Sequence, residues 1–452
     1  MALPFETEIR PGEIRRAVFR LAVPAVLEMI LHMFMWVMDT ALVGRLGSGP
    51  LAAAALGGQV FYTAVFVFGA VGVGAMALVA RHSGARHREE ASRAAGQAIL
   101  LAFVLGMAGM FAVRSAAPWV FALATLSPDI TALGMDYVHV LSLGTPLMVV
   151  ILVANGVLRG RGDTKSPFYV TLLTNIIGPV LQYALIFGAG PFPRLGLYGA
   201  ALAPVIAWVL GLIMALGIVF GVTGKPATTL AHVFSWAPRD MWRLARLSLP
   251  AAFESLLMDG ARTANIAIIG VLGSSAIAAN QIAATCESLS FMPGHGFAIA
   301  SSIIAGQALG AGEPAYARRG AYESWRVAAG VMGLVGFTYV LFARAYVGLF
   351  TQEAPVLALG ASALMVAGFA QVFVATTEVL TGALRGAGDT RTSMLITLLG
   401  TWLIRVPATF LVARRFGLGL QAVWVVMLVD WAIRAIFASV WFRMGKWEKV
   451  KV

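Results

Sequence analysis

The sequence predicts an all-α integral membrane protein: twelve transmembrane helices in two six-helix lobes, related by a pseudo-twofold axis along the membrane normal. Three observations predict it. Of 452 residues, 59% are hydrophobic and only 12% charged, where a soluble domain carries about 25% charged residues. Stretches of about 20 apolar residues, enough to cross a bilayer, recur along the whole chain. The second half also repeats the first in a single register.

Taken in order, the spans read at about 17–43, 51–79, 94–114, 132–155, 168–188 and 197–222. The second set reads at about 248–270, 277–305, 327–345, 355–380, 394–413 and 421–442. Met1 to Arg16 holds Glu6, Glu8 and Glu13 and no short apolar core with a cleavage site, so the first span serves as an uncleaved signal. Mixed basic and apolar lead-ins precede the first and seventh spans. The second of these, Arg239 to Leu247, has Pro238 at a helix start and Trp242 at interfacial depth, and reads as a helix lying along the membrane surface. The expected division is thus an N-lobe over 1–222, a cytoplasmic linker with that interfacial helix over 223–247, and a C-lobe over 248–452.

Twelve spans with the N-terminus inside place 24 Lys and Arg on the cytoplasmic side and six opposite. That asymmetry follows the positive-inside rule and sets both termini in the cytoplasm. The net charge of +12 therefore reports orientation rather than a nucleic-acid partner. Cys286 stands alone, which excludes an intramolecular disulfide; in its apolar run it reads as a packing residue.

The repeat has an offset of 226 residues. Arg20-Leu-Ala-Val-Pro24-Ala-Val-Leu-Glu28 matches Arg246-Leu-Ser-Leu-Pro250-Ala-Ala-Phe-Glu254, and Leu46-Gly47 matches Leu272-Gly273. Gly156-Val-Leu-Arg159-Gly160-Arg-Gly162-Asp163-Thr164 matches Gly382-Ala-Leu-Arg385-Gly386-Ala-Gly388-Asp389-Thr390. Parallel six-span repeats suit alternating access. In the duplicated motif the glycines read as a tight turn, the arginine as a cytoplasmic pin, and the aspartate as a cap of the next helix.

The chemistry concentrates in the first span. Glu28, His32, Met35 and Asp39 fall at i, i+4, i+7 and i+11, on one face of a helix that is otherwise apolar. A carboxylate at the bilayer centre costs about 2.5–3.5 kcal/mol on insertion scales, so this seam must face protein or a watery cavity. Asp39 either pairs with a structural partner on a neighbouring helix or binds a proton or cation in a transport pathway. Met29, Met33, Met35 and Met38 with Trp36 suit a promiscuous pocket, or equally serve as lipid-facing and packing residues. In the second half Asn265 stands where Asp39 stands in the first. Asp259 with Arg262 and Asp430 with Arg434 sit at helical spacing for mutual neutralisation. Glu254, Glu287 and Glu378 lack such local partners. They read as partners of Arg405, as the lining of a polar cleft, or, with Asp259, as a second cation site. His295, between two glycines, reads as a turn or packing residue.

Pro24…Asp39-Thr40…Gly44-x-Leu46-Gly47, the duplicated Leu-Arg-Gly-x-Gly-Asp-Thr and Gly196-Leu-Tyr-Gly199-Ala-Ala resemble the MATE (multidrug and toxic compound extrusion) family over essentially the whole chain. The chain is similar in particular to the DinF-like branch. The resemblance implies a V-shaped pair of six-helix lobes and exchange of H⁺ or Na⁺ for cationic or amphipathic drugs. It implies Asp39 as the protonation site and Pro24 as the hinge of the first helix, with Tyr137, Asn155 and Asn175 lining the N-lobe cavity. Met35 and Trp36 join these as substrate-binding candidates. The chain departs from the pattern at Pro179, where archaeal members of the branch carry a second aspartate, and at Ala203, where a threonine is expected. Glu28 and His32 then stand as candidates for the missing titratable partner.

No HExxH, GxSxG or Walker A run appears, so an enzyme is not expected, nor is any cofactor or resident metal. The expected partners are a small cationic or amphipathic substrate, H⁺ or Na⁺ and the lipid bilayer. The chain is expected to work as a monomer in a prokaryotic plasma membrane. The rival readings are a flippase of a lipid-linked oligosaccharide precursor, which calls for cationic side chains in a large cavity, and a Na⁺-coupled exporter using a C-lobe site.

Overall fold

The computed structural model describes residues 11–124, 127–221, 228–235 and 237–450. Among these residues the regular elements are all helical. The first half holds α1 (Pro11–Gly44), α2 (Ser48–Gly69), α3 (Val71–Gly84), α4 (Arg88–Leu123), α5 (Pro128–Ser142), α6 (Gly144–Gly160), α7 (Lys165–Phe187) and α8 (Leu197–Val219). After the short α9 (Leu230–Phe234) come α10 (Pro238–Ile269), α11 (Ser274–Gly310), α12 (Pro314–Gly348), α13 (Ala354–Ala387), α14 (Thr390–Leu398), α15 (Val406–Phe410) and α16 (Gly419–Arg443). Among the described residues eleven helical rods are long and apolar enough to cross a membrane, with Ser48–Gly84 (α2 and α3) and Thr390–Arg415 each counted as one. The α5–α6 pair, bent by 43°, makes the twelfth.

Two expected helices differ from straight rods. Arg239–Leu247 is continuous with the seventh span, since α10 begins at Pro238 and runs on without a break. Pro238 opens that helix because its missing N–H is one of the donors a first turn leaves unpaired anyway. The eleventh span, Thr390–Arg415, is interrupted by two π-helical stretches, Leu399–Arg405 and Leu411–Arg415. Pro407 lies between them and cannot donate to the helical ladder. Sequence periodicity carries no signal for such turns, which concentrate at functional sites.

The chain divides into two compact units. One is Leu27–Ala252; the other joins the described residues up to Val26 to those from Phe253 onward. Both dividing points fall two residues after a proline inside a long helix, Pro24 in α1 and Pro250 in α10. They are equivalent positions of the repeat. In the second unit the start of α1 is held by Phe19, edge-on to Phe297 at 6.4 Å, and by Val26, seated where Gly296 has no side chain. In the first unit the start of α10 packs on Gly74, where a Cβ would lie 3.1 Å from the Leu244 carbonyl.

The duplicated motif divides its labour more finely than a tight turn. Only Gly162 (φ 81°) and Gly388 (φ 92°) occupy the left-handed turn position. Gly160 and Gly382 are packing residues: a Cβ there would lie 2.8 Å from the Met76 carbonyl and 2.6 Å from the Ala298 carbonyl. Small residues four apart let membrane helices approach backbone to backbone. The aspartates cap as expected: Asp163 Oδ1 accepts from the Ser166 N–H at 3.0 Å, and Asp389 Oδ1 from the Thr392 N–H at 3.3 Å. Cys286 is buried in the core of the second unit, with Tyr339, Ala343 and Leu364.

Candidate transport site

α1 is helical through the whole seam, with Pro24 inside it, so Glu28, His32, Met35 and Asp39 share a face. That face lies against α7. Thr171 Oγ1 is 3.4 Å from Glu28 Oε1, Gln182 Nε2 donates to Asp39 Oδ1, and a Cβ on Gly178 would stand 3.0 Å from Met35 Cε. Each α7 partner lies 143 residues after its α1 residue. The two helices therefore run parallel and in register, and the i, i+7, i+11 spacing of the seam is met by the same spacing in Thr171, Gly178 and Gln182.

Glu28 is 1% exposed, and Arg159 Nη2 approaches its Oε1 at 2.6 Å. The arginine of the duplicated motif is thus the counter-ion of the first seam carboxylate. His32 lies within electrostatic reach of both. Asp39 differs. It is half-buried, and among the described residues its hydrogen-bond partner is the neutral Gln182, itself fully buried. No Lys, Arg or His among the described residues stands within 4 Å of it. Tyr137, wedged against Gly57, and Tyr62 lie within its electrostatic reach.

The remaining candidates are less tightly gathered. Trp36 is 57% exposed, and its carbonyl accepts from the Thr40 hydroxyl. Asn155 is buried and Asn175 half-buried; Asn155 Oδ1 and Asn175 Nδ2 each lack a hydrogen-bond partner among the described residues. Among the described residues neither side chain hydrogen-bonds to the seam.

The second half repeats the glutamate arrangement. Glu254 accepts from Ser393 Oγ at 3.0 Å and Thr397 Oγ1 at 3.1 Å, with Arg385 Nη1 at 4.0 Å. Thr397 and Arg385 are the repeat equivalents of Thr171 and Arg159. Glu378 lies between His295 Nδ1 at 3.5 Å and Arg385 Nη2 at 3.9 Å. His295 is therefore no turn residue; it sits mid-helix in α11 and faces a carboxylate. Asp259 meets Arg262 at 3.4 Å, and Asp430 takes both Arg434 and Arg405. Of the carboxylates read at membrane depth, only Asp39 and Glu287 have no cationic side chain within 4 Å among the described residues.

Sequence reasoning missed Gln182, although Asn175, Pro179 and Gln182 share one face of α7 at i, i+4 and i+7. It also did not pair Glu28 with Arg159, although both recur at the repeat offset. A His82–His87–Glu90 group, both imidazole Nδ1 atoms 3.0 Å from Glu90 Oε2, lies at the α3–α4 corner away from the seam.

A duplicated bundle of membrane-crossing helices, with an ion-paired polar seam in each half, defines a transporter rather than an enzyme. The MatE family model matches residues 24–184 and 250–411, and the chain belongs to that family. It is similar to a probable multidrug resistance protein NorM of Thermotoga maritima, 28% identical over 437 residues, covering 97% of this chain and 94% of the relative. A multidrug resistance protein NorM of Burkholderia vietnamiensis is 29% identical, with 93% and 90% covered. Among solved structures, an outward-facing multidrug resistance MATE family transporter of the MOP superfamily superposes with a TM-score of 0.89 at 24% identity, with 97% and 98% covered. A MOP superfamily transporter from Pyrococcus furiosus superposes equally well, 0.89 at 23% identity, with 98% and 100% covered. The fold is that of the MATE transporters.

Proposed function

We propose that this protein is a secondary multidrug efflux antiporter that exports cationic or amphipathic compounds in exchange for H⁺, coupled through Asp39. One observation carries the reading: the seam holds two carboxylates, and among the described residues only Glu28 has a counter-ion. Glu28 is neutralised by Arg159. Asp39 is held by the neutral Gln182 and is left to bind a proton or a cationic substrate in turn.

Ionised Asp39 attracts a cation into the N-lobe cavity, where Met35, Tyr137, Asn155 and Asn175 supply adaptable and polar surface. Protonation removes the charge, weakens substrate binding and favours a different packing of α1 about Pro24, whose ring has no N–H for the helical ladder. The position of Pro24, two residues before the division between the compact units, supports it as the hinge. Coupling requires only that the two states of α1 differ in affinity for proton and substrate. The named NorM relatives favour a drug-like substrate, and the basic-residue asymmetry favours cytoplasmic termini in a bacterial inner membrane.

The test is efflux of a fluorescent cation from proteoliposomes under an imposed pH or Na⁺ gradient, for the native protein and Asp39→Asn. Transport driven by the pH gradient and abolished by Asp39→Asn is the expected result. Transport driven only by Na⁺ and indifferent to that substitution moves the coupling site to Glu254, Asp259, Glu287 or Glu378 and overturns the reading.

A further inference from the structure

The corner between α3 and α4 gathers three side chains able to ligate a metal, none of them part of the transport seam. α3 ends in a Schellman turn. The His87 N–H donates to the His82 carbonyl at 2.9 Å, the Arg86 N–H donates to the Ser83 carbonyl at 3.2 Å, and Arg86 takes the left-handed position at φ 61°. Such a turn brings together the two side chains at its outer ends, commonly in an apolar contact. Here both are histidines. Glu90, in the first turn of α4, completes the group: its Oε2 stands 3.0 Å from His82 Nδ1 and 3.0 Å from His87 Nδ1. The three ligand atoms lie within 4.8 Å of one another.

The turn itself does not require these residues. The second half builds the same corner, with the Glu313 N–H donating to the Ala308 carbonyl at 2.8 Å and Gly312 left-handed at φ 79°. Ala308, Glu313 and Tyr316 stand there in place of His82, His87 and Glu90, so that corner closes with no imidazole.

With the ring protons on Nε2, both Nδ1 lone pairs and the carboxylate converge on one place. Ligands about 2.0–2.2 Å from a tetrahedral ion stand about 3.3–3.6 Å apart, so small side-chain rotations admit one. We propose that His82, His87 and Glu90 bind a single divalent transition-metal ion of the Zn²⁺ class, tying the end of α3 to the start of α4. Two imidazoles and a carboxylate favour Zn²⁺, Ni²⁺ or Cu²⁺ over Mg²⁺ and Ca²⁺, which take oxygen ligands. The side chains of His87 and Glu90 are 58% and 53% exposed, so the ion is reached from outside and keeps water in its remaining position. Asp240 and Arg243 of α10 both lie within electrostatic reach of His82; they pair at 3.7 Å and offset each other's charge there. His82 and His87 are five residues apart, off the i, i+4 spacing of a helical two-histidine motif, so the sequence alone announces no metal site. The group lies within the unit Leu27–Ala252 and does not depend on the antiport reading.

The experiment is calorimetric titration of the full-length protein in detergent, freed of any affinity tag and treated with chelator, with zinc chloride and separately with magnesium chloride. Saturation at one zinc ion per chain is expected, with no saturable heat from magnesium. His87→Ala and Glu90→Gln should each weaken zinc binding about tenfold or more, and His82→Ala/His87→Ala should abolish it. His139→Gln, outside the group, should bind zinc as the native protein does. Cu²⁺ bound in place of zinc should show nitrogen hyperfine splitting in its electron paramagnetic resonance spectrum, lost in the double variant. If circular dichroism shows the double variant unfolded, His87→Ala and Glu90→Gln, both at exposed side chains, carry the test. Absence of saturable zinc binding up to about 1 mM overturns the proposal. So does zinc binding undiminished in the folded variants, or magnesium binding as tightly as zinc.

Discussion

Arg159 Nη2 stands 2.6 Å from Glu28 Oε1, and the same pair recurs 226 residues later as Arg385 and Glu254, relaxed to 4.0 Å. The motif arginine, read from sequence as a cytoplasmic anchor, is in each half the counter-ion of a glutamate placed four residues after the proline of α1 or α10. The two pairs differ in how much of the glutamate's charge rests on the arginine. Glu28 has Thr171 at 3.4 Å as its other partner, and its Oε2 has none among the described residues. Glu254 is held by two hydroxyls at 3.0–3.1 Å.

Arg159→Met should therefore cost much more stability than Arg385→Met. Removing one partner of a buried ion pair costs about 3–5 kcal/mol, whereas removing both charges is often neutral. Thermal unfolding in detergent is expected to show a large fall for Arg159→Met, a smaller one for Arg385→Met, and recovery in the double variant Glu28→Gln/Arg159→Met. Equal losses at the two arginines would refute the distinction.

The spans, the repeat and the seam were legible because hydropathy, residue identity at a fixed offset and helical spacing are properties of the chain itself. Partners across helices were not. Glu28 and Arg159 are 131 residues apart, and only the packing of α1 beside α6 and α7 brings them together. Gln182 carried no charge to draw attention, and its register with Asp39 exists only once α7 lies parallel to α1. Glu254, Glu287 and Glu378 read alike from the sequence, as partners of Arg405, as the lining of a polar cleft or as a cation site. Packing gives Glu254 and Glu378 to Arg385 and gives Arg405 to Asp430.

The motif glycines give a sharper test of packing. A Cβ at Gly386 falls on the Ser302 carbonyl, which is backbone and cannot rotate aside. Gly386→Ala is expected to destabilise by about 1–3 kcal/mol through overpacking. Gly330, inside α12, has no atom within 4 Å of its notional Cβ, so Gly330→Ala should gain about 0.5–1 kcal/mol from helix propensity. Opposite shifts of the melting temperature for the two alanines are the expected result.

Arg86 occupies the left-handed region at φ 61°, where the equivalent residue in the second half is Gly312 at φ 79°. An L side chain in that conformation costs about 1–2 kcal/mol, partly offset by the greater chain entropy glycine loses on folding. Arg86→Gly should thus stabilise by about 0.5–1 kcal/mol, and Gly312→Arg should destabilise. A melting temperature that falls in Arg86→Gly would mean the side chain contributes more than its backbone strain costs.

Gln182 is the hydrogen-bond donor to Asp39, and an amide is neutral at every accessible pH. Its contribution to the proposed site is therefore positional and acts on the ionised carboxylate. Hydrogen bonds to charged groups contribute about 1.5–3 kcal/mol, so Gln182→Leu should weaken binding of a cationic substrate by about 10- to 100-fold while leaving the Asp39 carboxyl in place. Asp39→Asn removes the charge and should abolish coupled efflux outright. Efflux in Gln182→Leu should recover at higher substrate concentration; in Asp39→Asn it should not. Proteoliposome rates measured across a range of substrate concentrations separate the two. If Gln182→Leu behaves as Asp39→Asn does, with no recovery at saturating substrate, the glutamine is part of the coupling step itself rather than the residue that holds the carboxylate in place.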